Sequence, residues 1–274
     1  MMARRSTSGP LVANVGDIAY KATDGSIKVV NPDAWDTSLG TPVGVVVIPS
    51  GFAPDNGLAR IVNLESVPAP SNGWGANNKD TSNPNYTTVP TTYNTGLGVD
   101  GYSGNGVLPS DEFVGEEKSY VDPKAGYMLY TPFIPSPYLG DKPNPAYYVE
   151  ISGGNALSDF NGYNNNINIF SDVYNGSAIE KARNYKVEGA EEIEWYLPAA
   201  GEVGYLIARL KAIQTSITKL EGTQIIDSGN VAYWTSTESS KTSAVFWNPT
   251  IGAINKGGGK SNNYSVRPFA MLDF

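Results

Sequence analysis

Short runs with a hydrophobic-polar period of two fill most of the chain, and turn-forming residues separate them. "DIAYK" and "SIKVV" flank Asp24-Gly25, which predicts a hairpin around a tight turn. "PVGVVVI" (Pro42–Ile48) is continuously apolar and suits a strand buried on both faces, and "ARIVNL" (Ala59–Leu64) predicts a fourth strand. Helical spacing appears later. Ser177 stands three residues before Glu180 as a capping box, predicting a helix from Ala178 to Tyr185. After Pro198, at a position where a first-turn proline is tolerated, Val203, Leu206, Ile207, Leu210 and Ile213 form one apolar helix face. Beyond Gly222 the period returns to two. "NVAYWTST", "SAVFWN", "GAINK" and "NYSVRPFAML" predict four terminal strands. Tyr233 and Trp234 then point to opposite faces, as do Phe246 and Trp247. One aromatic of each pair is expected in the core, with its neighbour and the Ser/Thr turn on the outer surface.

This pattern gives an α+β fold in four stretches. Residues 1–10 read as a flexible arm. Residues 11–66 form a β-rich part serving as attachment or lead-in, with its own core or a shared one. Residues 67–148 form an irregular excursion holding eleven of the 19 prolines together with several tyrosines; its best strand candidate is Tyr127–Pro135. Residues 149–274 form a regular domain with two helices and a terminal antiparallel sheet. The aromatic content of the excursion argues for order and for packing, including against a neighbouring subunit.

Composition narrows the chemistry. A net charge of −8, with Arg4-Arg5 as the one basic cluster, argues against a nucleic-acid partner. Histidine and cysteine are absent, which removes disulfides, thiolate nucleophiles, Ser-His pairs and the usual zinc sites. No stretch has the length of a membrane span, and the two N-terminal arginines have no apolar h-region behind them, so export by a signal peptide is not expected.

Three segments carry a family resemblance: "WYLPAAGEV" (Trp195–Val203), "YWTSTE" (Tyr233–Glu238) and "VRP" (Val266–Pro268). Together with "LSDFNGYNNNINI" (Leu157–Ile169), similar to the loop before the first helix, they resemble the C-type-lectin-like fold in its bacterial and phage form. The lack of cysteine sets the chain apart from formylglycine-generating enzymes. Pro249 after Trp247-Asn248, where calcium lectins carry aspartate, sets it apart from metal-dependent sugar binding. The remaining subfamily, phage receptor-binding and tropism-determinant proteins, implies a virion surface protein of a head fibre, capsid or tail, assembled in the host cytoplasm. It implies no enzyme activity, cofactor or metal. The partners it implies are other virion proteins, further copies of the chain, and host-surface glycan or protein. A purely structural assembly subunit and a carboxylate-based polysaccharide hydrolase are the alternatives.

Trp195, Leu197, Pro198 and Trp234 are expected to be structural. Arg267, before Pro268, is expected to pair with an acid such as Glu202 or Glu238. Trp247, Asn248, Asn255, Asn262, Asn263, Tyr264 and Lys241 have two readings: a contact surface of rigid aromatics and adaptable amides, or loop and edge residues with no partner. "GGGKS" (Gly257–Ser261) lacks the earlier glycine of a phosphate loop and reads as a flexible turn. "DFNGYNNN" has Tyr163 and Asn164 where a calcium loop needs an oxygen ligand and a glycine. The acidic pairs Asp111-Glu112, Glu116-Glu117 and Glu191-Glu192 are candidates for paired-carboxylate chemistry, against the plainer reading of solvated turns.

Overall fold

The computed structural model describes residues 13–50, 58–71, 73–74, 120–122, 127–130, 147–150, 162–170, 176–223, 225, 232–240, 243–248 and 253–274. The expected arm at 1–10, most of 67–148 with its two acidic pairs, and Lys241 lie outside these residues.

Helices and antiparallel sheets make an α+β fold. The hairpin forms as β1 (Ile18–Ala22) and β2 (Ile27–Val30), with Gly25 at φ 85° in the turn. Asp24 ties the turn by accepting from the Ser26 N–H at 3.0 Å. The apolar run becomes β3 (Gly40–Ile48), and β4 (Ala59–Val62) follows. Among the described residues, β5 (Tyr120–Asp122), β6 (Tyr127–Tyr130) and β7 (Tyr147–Glu150) pair antiparallel in that order; β6 falls at the start of the strand candidate Tyr127–Pro135, while β5 and β7 were not expected.

Two sheets organise the core. The larger has the order β2-β1-β3-β4-β12-β8, where β8 is Trp195–Tyr196 and β12 is Phe269–Leu272. Because β12 lies between β4 and β8, the N-terminal strands share one sheet with the chain's end. The expected four-stranded terminal sheet is therefore three-stranded, in the order β11-β10-β9, from β9 (Tyr233–Ser240), β10 (Ser243–Asn248) and β11 (Ala253–Gly259). Buried Pro268, which lacks an N–H, precedes β12 and gives its carbonyl to the Asn63 N–H at 3.1 Å, steering the chain to β4.

The continuous apolar run of β3 follows from this layering. Val45 and Val47 face a cluster with Leu206, Ile213 and Phe269, while Val43 and Val46 face another with Ile61, Trp195 and Ala270. Both faces exclude water, so the strand has no polar period.

Among the described residues, four α-helices stand where two were expected. The asparagine-rich segment expected as a loop is α1 (Gly162–Phe170) from residue 162 onward. Asparagine disfavours helix because its amide competes for backbone partners, but here the amides bond outward. Asn166 donates to the Leu197 carbonyl at 2.8 Å and accepts from the Leu197 N–H at 2.9 Å. The capping box opens α2 (Ala178–Arg183), with Ser177 Oγ accepting from the Glu180 N–H at 3.1 Å. The single helix expected after Pro198 is broken into α3 (Ala200–Ala208) and α4 (Leu210–Lys219) at Arg209, whose φ of −116° and ψ of 15° leave the helical region. Its apolar stripe still runs through, with Val203, Leu206, Leu210, Ile213 and Ile217 in one cluster.

Candidate functional site

Aromatic side chains on both faces of the terminal sheet are buried. In register, Tyr233 stands opposite Trp247 and Trp234 opposite Phe246. The first pair stacks with ring centroids 5.7 Å apart and joins the cluster of α3 and α4. The second pair turns the other way, and there the outer-surface expectation fails. Trp74 and the helix α2 cover that face, so Trp234 is as buried as Tyr233. Trp74 arrives from the proline-rich region and is fastened by its indole N–H to the Thr235 carbonyl at 2.6 Å and its backbone N–H to the Lys260 carbonyl at 2.8 Å.

Trp247, expected on the contact surface, is 2% exposed and belongs to the core. Phe246, which the sequence reading left out of the site, is half-buried instead. Its ring lies 4.4 Å from that of Tyr264, and Tyr264 lies 4.6 Å from Trp234. The buried indole thus holds a step of two partly exposed rings. Asn262 and Asn263 are exposed beside it, and the Asn262 amide donates to the Tyr264 hydroxyl at 2.9 Å. Asn255 stands opposite Phe246 in register and Asn248 closes β10 opposite Ala253. The structure therefore gathers Phe246, Asn262, Asn263 and Tyr264 at one corner and leaves Trp247 out.

The glycines of "GGGKS" are part of this corner, not a flexible turn. A Cβ on Gly258 would stand 2.7 Å from Phe246 Cδ1 and 2.8 Å from Trp234 Cζ3, so only glycine lets both rings lie on β11. Lys260 is buried, with its ammonium 4.7 Å from the centroid of the Trp74 ring.

Thr235, Ser236 and Thr237 of β9 are buried, while the side chains of the Ser/Thr turn expected on the outer surface, residues 238–242, lie outside the described residues. Thr235 Oγ1 donates to the Val245 carbonyl at 2.8 Å, and Ser236 Oγ accepts from the Asn165 amide at 3.1 Å. Thr237 Oγ1 accepts from the Ala200 N–H at 2.8 Å, which satisfies a donor at the start of α3 from a different strand. Glu202 satisfies the donor before it, accepting from the Ala199 N–H at 2.8 Å.

Glu202 does not make the pair expected with Arg267. Its carboxylate meets the Arg60 Nε at 3.3 Å, with both side chains fully buried, and accepts from the Tyr196 hydroxyl at 2.7 Å. Arg267, also buried, donates instead to the Thr223 carbonyl at 2.8 Å. The ion pair expected from the V-R-P segment is thus made by an arginine on β4. The side chain of Glu238 lies outside the described residues.

Burial pushes Glu202 up to about 7, while Arg60 and the hydrogen bonds pull it the other way without prevailing. The sign follows from linkage. A carboxyl with a raised pKa contributes stability that is full below its unfolded value near 4.5 and is lost as pH rises through about 7. Glu202→Gln removes this titration, so wild type should lose on the order of 3 kcal/mol relative to the variant between pH 4.5 and 8. Urea unfolding of both proteins across that range checks it.

The acidic pair Glu191-Glu192 is exposed and divided between separate partners. Glu191 accepts from the Gly189 N–H at 2.9 Å, and Glu192 pairs with Lys21. Hydrogen bonds hold both carboxyls below their usual range, whereas a general acid needs one raised. Among the described residues, no group of three or more Asp or Glu is placed to hold a metal ion, and no helix is long and apolar enough to cross a membrane.

No family model matches the chain, and no curated protein matches it. Among solved structures it is similar to a fimbrial protein from Bacteroides ovatus, with 18% identity and a TM-score of 0.43 over 94% of this chain and 49% of that one. The chain thus spans about half the length of that structure. These findings correct the phage reading. The matched structure is a bacterial fimbrial protein, and the virion location, the phage partners, the host-glycan ligand and the lectin-like family assignment are withdrawn with it. The physical reason lies in the motif residues themselves. Trp195, Leu197, Glu202, Trp234 and Arg267 are all buried, so the segments that carried the resemblance describe how the core is tied, not what the protein meets.

Proposed function

We propose that the chain is a non-enzymatic contact subunit that associates with like subunits through the corner made by Phe246, Tyr264, Asn262 and Asn263. The observation that carries this reading is the partly exposed Phe246–Tyr264 step, packed on buried Trp234 and rimmed by exposed Asn262 and Asn263. Rigid aromatics beside adaptable amides make contacts at low entropic cost. Charge supports a self-contact at this place. The chain carries −8, so two copies repel, yet the segment from Gly257 to Val266 holds no acidic residue and one lysine. The separated, hydrogen-bonded carboxylates of Glu191 and Glu192 support the absence of hydrolytic chemistry.

Sedimentation velocity tests it. Wild type should shift to larger species as concentration rises. Asn263→Asp combined with Tyr264→Ser, which places like charge and removes one ring at the rim, should keep the chain monomeric with an unchanged circular dichroism spectrum. Wild type that stays monomeric, or a variant that still associates, contradicts the reading.

A further inference from the structure

Gly73 and Trp74 stand behind the contact corner and touch both of its supports. Trp74 shares a buried cluster with Trp234 and Val266, with partly buried Phe246 and Tyr264 packed against it. Its indole N–H reaches the Thr235 carbonyl, one residue after Trp234 on β9, and its backbone N–H reaches the Lys260 carbonyl. The second bond bears on the amides of the corner. The ladder between β10 and β11 ends at the Ser243–Gly259 pair, and Asn262 and Asn263 stand in the turn that follows. At the far end of this turn Ser265 is tied to β9, donating to the Ala232 carbonyl at 2.8 Å and accepting from the Trp234 N–H at 3.0 Å. At its near end the backbone is tied by Trp74. The fit there is close: Gly73 has φ 63°, and a Cβ on it would run into the Lys260 carbonyl oxygen. The Gly73 carbonyl accepts from the Ala178 N–H at 2.9 Å, at the start of α2, and the Lys260 ammonium lies over the Trp74 ring.

We propose that Gly73–Trp74 is a strap that positions the contact corner: seated, it holds the Lys260–Tyr264 turn beside Trp234, and unseated, it releases the turn and with it the association of like subunits. The proposal rests on the reading of the corner as a self-contact and adds the element that controls it. Trp74 is 1% exposed, so it meets no second copy itself and acts through the turn. A turn ordered before its partner arrives loses less entropy on binding, which is how a buried residue raises the affinity of a surface it does not form.

Hydrogen–deuterium exchange at a concentration where the chain is monomeric, paired with sedimentation velocity, tests it. Gly73→Ala puts a side chain at a positive φ and against Lys260, and leaves every corner residue in place. Exchange in the segment Lys260–Ser265 should quicken about tenfold, the shift expected when a hydrogen bond is lost beside a strained residue, while β1–β4 exchange as in the wild type. Association should then need about tenfold higher concentration. Trp74→Phe, which keeps an aromatic ring and loses the donor to Thr235, should give a smaller change of the same kind, and it carries the test if Gly73→Ala does not fold. Unchanged exchange in the turn, or exchange raised equally across β1–β4, overturns the strap. So does a loosened turn with undiminished association, which leaves the contact reading standing. A wild type that stays monomeric overturns the contact reading and its control together, while the exchange arm separately decides whether the strap holds the turn.

Discussion

Glu202→Ala should lower stability by about 3–5 kcal/mol, the usual cost of leaving one member of a buried ion pair uncompensated. Arg60 and Glu202 are 142 positions apart in sequence and both fully buried, and the pair is set between β4 of the large sheet and the start of α3. Removing the carboxylate strands the Arg60 charge. It also takes an acceptor from the Tyr196 hydroxyl and from the Ala199 N–H. The double variant Arg60→Met with Glu202→Leu should recover most of the loss, because a packed apolar pair needs no counterion. Urea unfolding of the two variants measures the difference. Gly162 reports on the same site: a Cβ there would stand 2.2 Å from Glu202 Oε2 and 2.6 Å from Tyr196 Cε2, so α1 approaches the carboxylate only through a glycine.

Trp247→Ala should cost about 3–5 kcal/mol, as expected for emptying a buried aromatic site. Its ring stacks on Tyr233 and packs in the cluster that joins the large sheet to α3 and α4. Tyr264→Ala should cost much less, since Tyr264 is only partly buried and sits at the rim. Guanidinium unfolding of the two variants therefore separates core from corner. Equal losses would mean that Tyr264 is part of the core and that the corner is not a free surface.

Local signals in the sequence reached local structure. Asp24-Gly25 marks its hairpin, Ser177 and Glu180 mark the start of α2, and the apolar run at Pro42–Ile48 marks a strand buried on both faces. The period of two in β9 and β10 correctly put neighbouring aromatics on opposite faces. What it could not reveal is what covers each face. Trp74 returns from a region without helical or strand period, and only its contacts with Thr235 and Lys260 show that the second face is closed. The partner of Glu202 was misassigned for the same reason. Arg60 sits in an apolar strand, and nothing near it in sequence marks it as paired. The departure of β12 to the large sheet is likewise a long-range choice, since "NYSVRPFAML" reads as one more strand of the terminal sheet. The corner was half legible. Its amides and Tyr264 stood out as a polar-aromatic cluster, but choosing Phe246 over Trp247 depends on which face α2 covers.

Hydrogen–deuterium exchange of the wild-type chain at low and high protein concentration tests the contact corner most directly. The account predicts that raising the concentration slows exchange in peptides covering β10 and the segment from Gly258 to Ser265, while β1 and β2, at the far edge of the large sheet, exchange unchanged. Protection that appears elsewhere and spares this corner, or no protection at any concentration, would contradict it.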